Sequence, residues 1–128
     1  MKLLHEDILS ITPKAEMNGC GPKGFGWLVP DKYGRVDFTK AGDIHDACYY
    51  WIEMIGKFKG KPLRDIDSAL HQNLVVFGRK YADEVFEKNL RRLNKTKSKS
   101  KILGYLRVPI IELYYQSVRG FGSLFLRN

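Results

Sequence analysis

The run His45-Asp46-Ala47-Cys48-Tyr49 carries the residue types that chemistry needs. On a helix, residues four apart share a face and successive residues turn by about 100°, so His45 and Tyr49 are neighbours while Asp46 points elsewhere. A histidine near neutrality can take a proton from water, and a carboxylate aimed at a backbone loop can hold a hard cation. Such a loop stands upstream. Asn18-Gly19-Cys20-Gly21-Pro22-Lys23-Gly24-Phe25-Gly26 packs four glycines and a proline into nine residues, which excludes a helix and exposes carbonyl oxygens of the kind calcium prefers.

A second carboxylate is expected to serve the histidine. On one continuous helix after Pro62, Leu63, Ile66, Leu70, Leu74, Phe77, Tyr81 and Val85 form an apolar stripe, and Asp67 falls on it, about 40° from Leu63. A buried carboxylate requires a partner, and Asp67 hydrogen-bonded to His45 would orient the ring and stabilise its protonated form. By the same arithmetic Asp65 and Asp83 lie near 200°, on the solvated face. The plainer reading is that Asp67 serves the first turn of its helix, where an acid is favoured by the dipole.

The elements that must position these groups are mostly helical. The lead-in 1–16 offers Leu3, Leu4, Ile8 and Ile11 for docking as a helical turn or two. The stretch 29–36 suggests a small hairpin. Period 3.6 predicts an active-site helix over 38–56 and a second helix over 62–92, packed antiparallel because the loop between them is short. A basic segment, 93–107, and a C-terminal helix, 109–128, complete one domain of 128 residues.

With 44% hydrophobic and 12% aromatic residues, the chain can bury a core. No apolar run approaches the ~20 residues that cross a bilayer, and the start MKLLHEDILS carries charges where a signal peptide needs an apolar centre. A cytoplasmic or virion-associated protein is expected. The 22 Lys+Arg and 14 Asp+Glu leave a net charge of +8, all of it attributable to 88–111, where eight basic residues meet no acid. That tract fits either a solvated linker or an anionic partner, a phospholipid surface or nucleic acid, although no nucleic-acid reading motif accompanies it.

The loop Asn18-Gly19-Cys20-Gly21, then Phe25-Gly26, then His45-Asp46-x-Cys48-Tyr49 resembles the calcium loop and active-site helix of secreted phospholipase A2, most closely the group twelve enzymes. The 22-residue separation of His45 and Asp67 resembles the compact phospholipase A2 domain of parvovirus capsid proteins, whose second helix carries an Ala-Asp-x-x-Phe motif. That motif is read here as Ile66-Asp67-Ser68-Ala69-Leu70, although Ala82-Asp83-Glu84-Val85-Phe86 matches it better by letters. Tyr115 to Gly122 resembles the C-terminal helix of phage and bacterial relatives.

The resemblance implies a mainly α fold, with an antiparallel helix pair, a glycine-rich calcium loop and an added C-terminal helix. It implies His45 as general base, Asp67 as its orienting carboxylate and Tyr49 in support. Asp46 would be the carboxylate ligand of Ca2+, with the carbonyls of Gly19, Gly21 and Lys23. The reaction implied is hydrolysis of the sn-2 ester of a glycerophospholipid, water attacking while calcium neutralises the oxyanion and the phosphate. The family's cysteine three residues before the histidine is Gly42 here, so Cys20 lacks its usual partner and two free thiols are expected. A catalytically silent phospholipid- or calcium-binding module and a basic nucleic-acid-binding protein are the rival functions.

Overall fold

The computed structural model describes residues 2–17, 32–33, 36–59 and 64–97, together with 111–112, 115–116 and 119 near the C-terminus. The protein is mainly helical. Two short 3-10 segments, Glu6–Ile11 and Lys14–Glu16, open the chain, followed by an antiparallel pair of two-residue strands, β1 (Lys32–Tyr33) and β2 (Val36–Asp37). Lys32 pairs with Asp37 and Tyr33 with Val36, where the sequence suggests a hairpin. Three helices follow: α1 (Thr39–Lys57), α2 (Ser68–Phe77) and α3 (Arg79–Lys97).

Helix α1 starts where Asp37 Oδ1 accepts the Thr39 backbone N–H at 2.9 Å, satisfying one of the donors that a helix start leaves open. Its buried face comprises Ala41, Ile44, His45, Cys48, Trp51 and Ile55, the period expected of an amphipathic helix. Helix α3 answers with Ala82, Val85, Phe86, Leu90 and Leu93, and these two helices form the principal packing pair. Phe38, Leu70 and Ile111 close the core around them. Each large apolar side chain buried in this way contributes roughly 1.5–3 kcal/mol.

The N-terminal segment is tied on at both ends of its path. Leu3 and Ile8 are buried, and Asn89 in α3 both donates to the Leu4 carbonyl at 3.1 Å and accepts the Leu4 N–H at 2.8 Å. Trp51 Nε1 donates to the Thr12 hydroxyl at 3.0 Å. Among the described residues, no helix is long and apolar enough to cross a membrane.

The second helix departs from expectation. The single helix read over 62–92 is two helices, divided at Gly78, whose φ of 56° and ψ of −132° belong to a region open in practice only to glycine. The Gly78 N–H closes α2 on the Leu74 carbonyl, and the Gly78 carbonyl accepts from Tyr81 and Ala82 to open α3. The break lets α3 take its own axis and phase, so side-chain directions counted from Leu63 do not carry across it. Helix α3 also runs on to Lys97, so the first part of the basic segment read over 93–107 is helical, and Leu93 and Asn94 within it are buried. Near the C-terminus, Ile111, Glu112, Tyr115, Gln116 and Arg119 are helical, the rest of the helix read over 109–128 lies outside the described residues, and Glu112 pairs with Arg91 of α3 at 2.7 Å.

Candidate active site

His45 projects from the middle of α1 into the contact with α3 and is 4% exposed. Its Nε2 lies 2.7 Å from Oδ1 of Asp83, a residue 1% exposed in the second turn of α3. Tyr49, one turn beyond His45, donates its hydroxyl to the same Asp83 oxygen at 2.8 Å. The other carboxylate oxygen, Oδ2, accepts from Arg119 Nη1 at 2.8 Å. Three side chains from α1 and the C-terminal segment thus converge on one buried carboxylate. The imidazole ring is held between Tyr49 and Phe86, with centroids 4.4 and 4.8 Å away.

The bonding pattern decides the tautomer. Asp83 accepts from Tyr49 and Arg119, so its oxygens act as acceptors and His45 Nε2 carries the proton, leaving the Nδ1 lone pair for a proton from elsewhere. Asp46 Oδ1 lies 4.0 Å from Nδ1, beyond hydrogen-bond range, so it does not draw the ring proton to that nitrogen. Burial, with the charge of Asp83 adding to it, pushes the Tyr49 phenol well above its ordinary value and keeps it a donor. Every buried side-chain nitrogen and oxygen among the described residues has a hydrogen-bond partner.

The expected His45 partner, Asp67, is elsewhere. It is the N-cap of α2, its Oδ1 accepting the backbone N–H groups of Ala69 at 2.8 Å and Leu70 at 3.2 Å. The plainer reading of Asp67 holds, and the carboxylate on His45 is Asp83, placed on the solvated face only by a count that ran through Gly78. The letters of Ala82-Asp83-Glu84-Val85-Phe86 were the better signal: Asp83 bonds the ring and Phe86, three residues on, packs against it. Neither spacing nor motif predicts Arg119 as a site residue. Its one trace in the sequence is its place inside the Tyr115 to Gly122 run.

Of the expected calcium ligands, Gly19, Gly21 and Lys23 lie outside the described residues, as does Cys20. Asp46, partly buried next to His45, is the one that can be placed, and among the described residues no cluster of three or more His, Cys, Asp or Glu could hold a metal by side chains alone. One carboxylate does not by itself make a calcium site, which takes several oxygens. Cys48 is a free thiol, buried in the α1 face and pushed up to about 12 by burial first and by the charges of Asp83 and Asp46. It is not a nucleophile at neutral pH.

Comparison of the chain with protein-family models, with curated proteins and with solved structures gave no match. The functional reading therefore rests on the residues and their geometry.

Proposed function

We propose that this protein is a calcium-dependent phospholipase A2 in which His45 activates water against the sn-2 ester of a glycerophospholipid. The observation that carries the reading is the His45–Asp83 bond: a buried carboxylate on Nε2, shared with Tyr49, leaves Nδ1 as a base beside Asp46. Nδ1 takes a proton from water, the resulting hydroxide attacks the ester carbonyl, and Asp83 stabilises the imidazolium until the proton passes to the leaving alkoxide. No serine or cysteine nucleophile is required. In this reading α1 and the α2–α3 pair stand in for the family's two antiparallel helices, and Asp46 with the carbonyls of Gly19, Gly21 and Lys23 would hold the ion. Calcium bound there would supply positive charge for the substrate phosphate and the developing oxyanion.

The proposed partner is an anionic phospholipid surface. Val75, Val76 and Phe77 are at least half exposed at the corner that leads into α3, with Arg79 and Lys80 just beyond Gly78. The basic tract from Lys88 to Arg107 adds attraction for a bilayer, at about 1 kcal/mol for each Lys or Arg near its surface.

Release of fatty acid from mixed phosphatidylcholine and phosphatidylglycerol vesicles, with calcium and with excess chelator, tests the reading. Chelator-sensitive release that His45→Ala abolishes supports it. Vesicle binding with no release would favour the silent lipid-binding module, and salt-sensitive DNA binding with neither would favour the nucleic-acid reading.

A further inference from the structure

Helices α1 and α3 run antiparallel. His45 packs on Phe86 and bonds Asp83, and one turn further along α1 Tyr49 bonds Asp83 and feels the charge of Arg79, at the start of α3. The C-terminus of α1 and the α2–α3 corner therefore lie at one end of the helix pair. Lys95 and Lys97 lie at the other, roughly 25 Å away along α3. Of the five exposed large apolar side chains among the described residues, four stand at the first end: Phe58 directly after α1, and Val75, Val76 and Phe77 in the last turn of α2. The chain carries no acid over 54–64 or 68–82, and Lys57, Lys59, Arg79 and Lys80 flank the apolar groups. Single exposed apolar residues are ordinary, but a group of them rimmed by charge marks a contact surface. Two copies of such a basic face repel each other, and duplex phosphates offer nothing to Val75, Val76 and Phe77. An anionic bilayer answers both halves, its acyl layer taking the apolar groups and its phosphates the cations.

We infer that the protein docks end-on, with Phe58 and Phe77 entering the acyl boundary of an anionic phospholipid bilayer, Lys57, Lys59, Arg79 and Lys80 on its phosphates, and α3 leading away from the surface. The first lysines of the basic tract then act on approach, since in the docked state Lys95 and Lys97 stand beyond the screening length of about 8–10 Å. Asp83 stands four residues beyond Arg79, one turn of α3 or about 6 Å, so the His45–Asp83 pair sits close above the headgroups. The use of that closeness for turnover rests on the phospholipase reading; the docking face stands on exposure, charge and helix direction.

The test is binding of the full chain to phosphatidylcholine vesicles with and without phosphatidylglycerol, in excess chelator so that no hydrolysis intervenes. Wild type is expected to bind the anionic vesicles about 10-fold or more tightly than the neutral ones, and Phe58→Ser combined with Phe77→Ser to lose about 10-fold or more of that binding. Arg79→Gln combined with Lys80→Gln is expected to narrow the preference for anionic lipid several-fold. Depth is read with Phe77→Trp and Lys95→Trp against the wild-type background: acyl-brominated lipid is expected to quench the added emission at position 77 and to leave that at position 95 unchanged. Undiminished binding by a folded double serine variant overturns the inference, as does equal quenching at the two positions; the quenching pair decides where the serine variant does not fold. A dimer that the serine variant dissolves would assign the face to a second copy, and loss of DNA binding with vesicle binding intact would assign it to nucleic acid, each against the inference. Docking as described with no lipid release by wild type in calcium refutes the phospholipase reading and leaves the docking face standing.

Discussion

Two corners of the molecule hold the same three side-chain types and use them differently. At one, His45, Tyr49 and Asp83 share direct hydrogen bonds, the carboxylate accepting from both rings. At the other, His5 Nε2 lies 2.7 Å from the Tyr81 hydroxyl, while Asp67 acts on His5 only at a distance, favouring its charged form. The difference lies in where each aspartate stands in its helix. Asp83 is inside α3, where neighbouring backbone N–H groups already have partners, so its oxygens must find side-chain donors. Asp67 stands at the start of α2, where open N–H groups capture its carboxylate first. A carboxylate becomes available to a histidine when the helix has no use for it.

The strongest way to break this contrast is to exchange the roles. Asp83→Asn keeps the shape and loses the acceptor pattern, and kcat for lipid release is expected to fall on the order of 10³- to 10⁴-fold. Asp67→Asn, still a good cap, is expected to leave kcat within about two-fold. Equal losses from the two would end the distinction.

The break that separates the corners comes next. At Gly78 an added Cβ meets only the Leu74 carbonyl, at an ordinary 3.9 Å, so the cost of Gly78→Ala is backbone strain. A loss of about 1–3 kcal/mol in urea unfolding is expected. A smaller loss, about 1 kcal/mol, is expected for Asp67→Ala in the same measurement, with turnover unaffected.

The smallest effect concerns His5. Burial lowers its pKa, and Asp67 offsets part of that, so the unfolded chain binds the proton more readily than the folded one. This contribution to stability is complete above the unfolded value near 6.5 and is lost as pH falls below it. Melting temperature is expected to decline below pH 6.5 in wild type and less steeply in His5→Asn, a residue that tolerates the left-handed backbone found there (φ 58°). An equally steep decline in the variant would assign the acid sensitivity to other groups.

The sequence by itself determined whatever lies within one helix. Periodicity placed α1 to within a residue at each end and put His45 and Tyr49 on one face with Asp46 turned aside, because directions inside an unbroken helix follow from its 3.6-residue repeat. The composition of 29–36 was enough to suggest the hairpin, and the first-turn preference for acids was enough to suggest the cap at Asp67. Which aspartate meets His45 was decided only in the tertiary structure. Gly78 resets the phase between α2 and α3, and no count along the chain passes through a residue whose backbone takes a new direction. Arg119 reaches Asp83 by packing of a segment 36 residues distant. Local repeats set the angles between side chains on one element; the angle between two elements is set by the core they bury together.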